Sequence, residues 1–550
     1  MKQKFHRIAS LMCAAALIIS LAGCTGGKST DAEQSTTNTA YAGQTLTVQV
    51  TAVNSSTIMA NPGEFQQSKS GDASSSGSTS APPAAPSGDA NGPGAAFTAS
   101  GEPITFDIPN GAAITVQSGS SAAVADIEVN SILQVTFSDS GEVTAVVIME
   151  QPTMGGFGGS AEVTNGTSAN TISSDTSVSG ESYTSSGDDE NALRVDGAAV
   201  TLDKIKVKKS GGDSSNTENG DFYGQNAGLL ALNGATVTIT GATVNTSAVN
   251  GNGVFSYGEG TTVNISDSTI RTTERNSGGI QTTGGGTTNA SNLDVETQGA
   301  SSAAIRTDRG GGTVRVNGGS YVTNGTGSPS IYSTADIEVT GATLTANASE
   351  AVVVEGKNSV SLTNCSVTGN MSGTYAQDNS ENIHNVMIYQ SMSGDADEGL
   401  ASFSMTSGSL TSKNGDMFYV TNTACTISLS GVTLTPTNDT LLRVAGNDSS
   451  RGWGTAGANG GTCTFTASDQ TMSGAIIVDD ISSLAMTLSG SSTYTGTINA
   501  SGTAGAVSVT LQNGAKWSLT GDSYITSFSG DVSSIISNGY HVYVNDTAID

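Results

Sequence analysis

Val237-Thr-Ile-Thr-Gly-Ala-Thr-Val244 is one copy of a unit that runs through most of the chain. Its pattern is apolar, any residue, apolar, a small polar residue, a corner residue, two further residues and an apolar one. Val200-Thr-Leu-Asp-Lys-Ile-Lys-Val207 precedes it, and Val263-Asn-Ile-Ser-Asp-Ser-Thr-Ile270 follows. Further copies start at Thr288, Val314, Ile337, Val360, Phe403, Ile427, Phe465, Met486 and Val509, which makes twelve. The starts are 21 to 26 residues apart, apart from three longer steps of 37, 43 and 38. Alternation of period two marks half-buried strands. The corner position is filled by Gly241, Asp267, Asn292, Gly318, Gly341, Asn364, Gly431, Asp469, Gly490 and Asn513, the residue types that accept a left-handed backbone. A second short strand precedes most copies, as in Gly253-Val-Phe-Ser256, Ala304-Ile-Arg306, Ala351-Val-Val-Val354 and Asp416-Met-Phe-Tyr-Val420. A propeller blade needs about 40 residues, and a sandwich domain about 100. A period near 23 fits neither. It fits one rung of a solenoid, whose apolar side is buried only when neighbours stack.

These repeats resemble the right-handed parallel β-helix of pectate lyases and many bacterial adhesins, over residues 190 to about 530. The expected fold is all-β: a solenoid of about twelve rungs, closed at its end by the aromatic strands Tyr524-Ile-Thr-Ser-Phe528 and Tyr540-His-Val-Tyr-Val544. The resemblance brings polysaccharide cleavage into view. Hydrolases of that fold use clustered Asp residues and a Gly-His-Gly segment, and lyases use an Arg base with carboxylates for Ca²⁺. Beyond the first 24 residues the only histidines are His384 and His541, and neither lies between glycines. Arg306-Thr-Asp-Arg309 is the best local match to a lyase. The expected neighbours on adjoining rungs, Gln281, Thr283, Tyr332 and Thr334, are not carboxylates. No catalytic residues are assigned from the sequence, and fold likeness by itself carries no activity.

The N-terminus carries a different signal. Lys2, Lys4 and Arg7 precede an apolar run from Ile8 to Leu21, shorter than the ~20 residues of a membrane span. The run ends in Leu21-Ala-Gly-Cys24, which resembles the lipobox of bacterial lipoproteins. The resemblance implies cleavage of residues 1–23, acylation of Cys24 and anchoring to the outer face of the cell membrane. Residues 24–42 form a Ser/Thr/Gly-rich tether. Residues 43–150 form a small β-barrel-like domain, with strands at 45–53, 104–108, 113–116, 132–137 and 143–148. Ser138-Asp-Ser-Gly141 is a hairpin turn between the last two. Residues 61–101, rich in Ser, Gly, Pro and Ala, read as a disordered insertion. Residues 151–189 read as a linker and cap, and 190–550 as the β-helix with its C-terminal cap.

The formal net charge of −28 excludes a nucleic-acid partner, because no basic cluster offsets the repulsion of phosphates. Seventy glycines, nearly double the usual share of about 7%, together with abundant Ser, Thr and Asn, exclude a helix-rich fold. The favoured function is a lipid-anchored surface rod in adhesion or carbohydrate binding. The alternatives are a polysaccharide lyase or hydrolase and a passive surface coat.

The long steps mark loops inserted into the scaffold, where function concentrates. Residues 208–226 and 368–385 leave one corner, and residues 391–402 and 445–462 another. The last two bring Asp395, Asp397 and Glu398 near Asp448, Arg451 and Trp453 as a candidate glycan site. An exposed Trp453 indole would stack on a sugar, and Asp395 and Asp397 are the candidate Ca²⁺ ligands. No other cofactor is implied. Cys425 and Cys463 occupy the same phase of adjacent rungs, close enough for a disulfide or for two stacked free thiols.

Overall fold

A computed structural model of the chain describes residues 38–54, 56–65, 97–99, 103–109, 111–116, 121–124, 127, 131–149, 163–373, 382–449 and 451–549. Cys24, the signal segment and most of the tether lie outside these residues. The chain divides into two compact units, at residues 1–152 and 153–550.

The first unit is a seven-stranded sheet. Thr45–Asn54 pairs antiparallel with both Thr57–Phe65 and Ile132–Phe137, and Ile132–Phe137 continues into Val143–Met149. Val48, Val50, Ile58, Phe106, Leu133, Val135 and Val146 form its core. Two strands fall partly or wholly inside the expected insertion. Thr57–Phe65 runs to residue 65, and Phe97–Ala99 pairs back onto it. Residues 61–65 and 97–99 therefore belong to the sheet, while 66–96 lie outside the described residues.

The second unit is a parallel β-helix. All twelve repeat starts fall on one ladder, from Val200 opposite Val237 to Met486 opposite Val509, each paired with the next in register. A second ladder carries the other apolar residue of each repeat, as in Val207–Val244–Ile270–Val295. The two ladders meet in the long strands Ser359–Gly369 and Leu400–Ser412, which pair along both. The solenoid starts one rung before the expected boundary at 190. Thr176–Ser179 and Ser182–Ser185 stack on Ala199–Asp203 and Lys206–Ser210. That rung shows little of the repeat pattern because Ser and Thr fill most of its positions, leaving Ile172, Val178 and Tyr183 to pack on the core. At the other end Tyr524 and Tyr543 stack at 5.0 Å. Val542–Val544 then turns antiparallel onto Thr547–Ala548, which ends the parallel ladder.

Every corner position has positive φ, including Lys204 at 50° and Ser407 at 57°, where the sequence offers no Gly, Asn or Asp. The corner is thus imposed by the two strands it joins, and Gly, Asn and Asp are the low-strain solutions. Cys425 and Cys463 are direct partners in register. Both are buried and free, as is Cys365.

A third face completes most rungs. It is a twelve-stranded parallel sheet that runs from Thr171–Ile172 to Ala475–Val478. Strands of the repeat ladder alternate between exposed and buried, as in Thr236–Thr240. Five strands of the twelve-stranded sheet do not: Leu229–Leu232, Ile280–Thr283, Val352–Glu355, His384–Tyr389 and Asp416–Thr421 are buried at every position. Their outward side chains are therefore covered as well as their inward ones.

The corners give a direct test. A Cβ on Gly341, at φ 67°, would meet nothing within 4 Å, so only the backbone conformation opposes a side chain there. Gly341→Ala is expected to lower stability by about 1–2 kcal/mol, and Gly341→Asn by distinctly less, as measured by denaturant unfolding.

Candidate functional site

The cover over the twelve-stranded sheet is made by the inserted loops. One outward row runs in register through Phe255, Gln281, Arg306, Tyr332, Val353, Met387 and Tyr419. Above it lies a cleft of about 290 Å³. All four inserts reach this cleft: Asp221 and Phe222 from the first, Met371 and Gly373 from the second, Asp395 from the third, Arg451 and Trp453 from the fourth.

The first insert contains the helix Thr217–Tyr223. Asn216 caps it, its side chain accepting from the Asn219 amide at 2.9 Å, and Gly224 ends it in the left-handed conformation. Three side chains from the solenoid fasten it down. Gln281 donates to the Asp221 carbonyl at 3.0 Å, Thr283 to the Phe222 carbonyl at 2.7 Å and Asn250 to the Asp221 carboxylate at 2.9 Å. Asp221 is thereby set over Arg306, with 3.1 Å from its carboxylate to one guanidinium nitrogen. Asp308 binds another guanidinium nitrogen at 2.9 Å. One buried cation thus stands between two buried carboxyls. Arg309 lies over the Phe222 ring at 4.1 Å and binds Asp395 at 2.8 Å, tying the first insert to the third.

Glu355 lies at the edge of this floor and is 1% exposed. The hydroxyls of Tyr332, Tyr389 and Ser391 all donate to it, that of Tyr389 at 2.9 Å. Tyr389 meets Trp453 edge-on at 4.8 Å between ring centroids, and the Arg451 guanidinium lies 4.2 Å over the Trp453 ring. Asn459 holds the fourth insert in place by donating to the Trp453 carbonyl at 2.9 Å.

Burial sets the protonation of this cluster. It pushes the Asp308 carboxyl up to about 8; Arg306 opposes the rise, while Asp221, Asp395 and Glu355 add to it. Burial raises Asp221 and Glu355 too, and Asp395 adds to both. Burial alone would lower Arg306, but its two carboxyl partners hold it above its ordinary value. Burial and the neighbouring Glu355 raise the Tyr332 and Tyr389 phenols.

Of the candidates named from sequence, Asp395, Arg451 and Trp453 meet at the cleft. Trp453 is only 4% exposed rather than open to solvent, because it is wedged between Tyr389 and Arg451. Asp397 turns away to an exposed pair with Lys357 at 2.7 Å, and Glu398 and Asp448 are exposed. Asp395 and Asp397 thus face different cations. Among the described residues no three His, Cys, Asp or Glu side chains gather as a metal site. Arg306 does have Gln281 and Tyr332 as its rung neighbours. The carboxyls absent from those rungs come from elsewhere: Asp221 from an insert and Glu355 from two rungs beyond. The overlooked signal is the loss of alternation in Leu229-Leu-Ala-Leu232 and Val352-Val-Val354, which marks the face the inserts must cover.

Two outcomes follow from the Arg306 cluster. Arg306→Met leaves two buried carboxyls without their cation, and is expected to cost about 3–5 kcal/mol in denaturant unfolding. Asp308 retains its proton in the folded chain up to about 8, against 3.8 as its ordinary value. The folded state therefore binds more protons than the unfolded one in that window, and stability falls as pH rises through it. Melting curves from pH 4 to 8 are expected to fall less steeply for Asp308→Asn than for the native chain.

Comparison of the chain with protein-family models, with curated proteins and with solved structures finds no match.

Proposed function

We propose that the chain is a lipid-anchored surface protein whose rod presents a carbohydrate-binding cleft on one flank. The observation that carries this reading is the convergence of four inserts on one cleft that is both aromatic and polar. A scaffold needs no such insertions to stack, and separate solvated loops need not meet. Tyr332, Tyr389 and Trp453 offer apolar ring surface, while buried carboxyls and guanidinium groups offer fixed hydrogen-bond partners. That is the combination by which sugars are held. The basic and apolar leader ending at Cys24 supports export and acylation, and the strongly acidic chain would stand off from anionic lipid.

One observation favours a second reading. Asp308 carries its proton near neutrality and shares Arg306 with Asp221, so the cleft contains a carboxyl able to donate a proton beside another carboxyl. A single screen separates the two. The chain lacking residues 1–23 is offered a panel of soluble glycans, and both retention and the release of reducing ends or unsaturated products are measured. Retention without release is expected, and Tyr332→Ala is expected to weaken it at least tenfold. If no glycan is retained, or if Tyr332→Ala binds as the native chain does, the cleft is not the carbohydrate site. Release of products would establish the second reading.

A further inference from the structure

The outward row that floors the cleft is covered at both of its ends. Phe255 and Gln281 at one end and Tyr419 at the other are 0% exposed, and Val353 and Met387 are buried too. The most exposed floor is Arg306, at 9%, and the half-buried Tyr332, one rung step of about 4.8 Å apart.

Each end has a wall that crosses the sheet. At one end the helix Thr217–Tyr223 is bonded to both Gln281 and Thr283 of a single rung. Arg309 extends that wall, lying over Phe222 and binding Asp395 of the third insert. At the other end Trp453 comes from one corner and packs on Tyr389. The second insert comes from the opposite corner: its Met371 Sδ accepts from the His384 amide at 3.5 Å, and the His384 ring packs on Tyr419 at 5.4 Å. One flank is closed as well, by Asp395, Arg451 and Trp453 of the third and fourth inserts. The other flank differs. Between the first and second inserts three successive rungs turn without insertion, and half-buried Ser301, Gly327 and Glu350 line the cleft there. Among the described residues this is the mouth.

A glycan lying along the rod would meet a wall at either end. One lying across it can enter over Ser301, Gly327 and Glu350, but then meets the third and fourth inserts and has no way out. At about 290 Å³ the cleft is at the small end of the roughly 300–1,000 Å³ common for ligand pockets. A terminal sugar also has one free hydroxyl more than an internal one, and Asp221 and Asp308 line the cleft as partners for it.

Resting on the carbohydrate-binding reading, we infer that the cleft takes the end of a glycan chain, entering across the rod between the first and second inserts, and excludes internal stretches of the same glycan.

The test counts how many molecules of the chain lacking residues 1–23 bind one polymer chain, by light scattering and sedimentation. The probes are four soluble linear polymers, pullulan, inulin, mixed-linkage β-1,3/1,4-glucan and polygalacturonate, each at two mean lengths about fivefold apart. At least one is expected to bind, with one protein molecule per polymer chain at both lengths. A number bound that rises with length overturns the inference but leaves carbohydrate binding standing, because internal stretches are then recognised. Gly373 lines the cleft from the second insert, and a Cβ there would meet nothing within 4 Å. Gly373→Trp is therefore expected to obstruct the mouth and weaken binding at least tenfold, with circular dichroism verifying the fold. Unchanged binding by the folded variant overturns the route of entry and the inference with it. Should the variant not fold, the length series on the native chain decides alone. Failure of all four polymers to bind overturns the inference, and the glycan screen then decides separately whether carbohydrate binding survives.

Discussion

Everything in the solenoid depends on equivalent backbone positions lying opposite one another on successive rungs. Parallel pairing links each residue to its counterpart on the next rung, so side chains of like position stack like upon like. The inward stacks Val200–Val237–Val263 and Phe403–Ile427–Phe465 are the result. A slip of one residue would turn every apolar side chain outward. The positive-φ corner prevents this, since it fixes where each strand ends. It recurs at the same place even where Lys204 and Ser407 must adopt a conformation their side chains disfavour.

The same rule governs the outside of the rod. On the repeat ladder the outward rows are Thr, Ser and Asn, which bond along the stack, as in Asn264–Asn289 and Ser361–Ser404. On the twelve-stranded sheet the outward row becomes Phe255, Tyr332, Val353, Met387 and Tyr419. Apolar residues there cost stability unless covered, and the inserts cover them. Scaffold and site are thus one problem: the row that requires a cover is also the row that floors the cleft.

The fold was largely legible because it is periodic. Repeat starts, ten of the corner residues and the strand preceding most repeats can be read from the sequence pattern, and they fall where that pattern puts them. The first rung was less legible because a polar rung needs few apolar residues once its neighbour is stacked on it. The cleft was only half legible. The places where inserts leave the solenoid are visible as long steps, but where they land is not. The landing point of Asp221 depends on a seven-residue helix, its Asn216 cap, and bonds from Gln281 and Thr283. None of these has a periodic signature. Trp453 likewise reads as an exposed loop residue until Tyr389 and Arg451 are brought against it from two other parts of the chain.

The inserts also change how the rod holds together. In a plain solenoid each rung feels only its two neighbours, so order can be lost stepwise from either end. Here the helix Thr217–Tyr223 reaches across to Asn250, Gln281, Thr283 and Arg306, and Arg309 joins it to Asp395. These links span several rungs and act as a clamp. The middle of the rod is thereby made one cooperative block, while the rungs towards either end keep the local, one-dimensional behaviour of a stack. A ligand lodged among the inserts would tighten that block, so occupancy of a small cleft would be felt as rigidity along a much longer stretch of the rod.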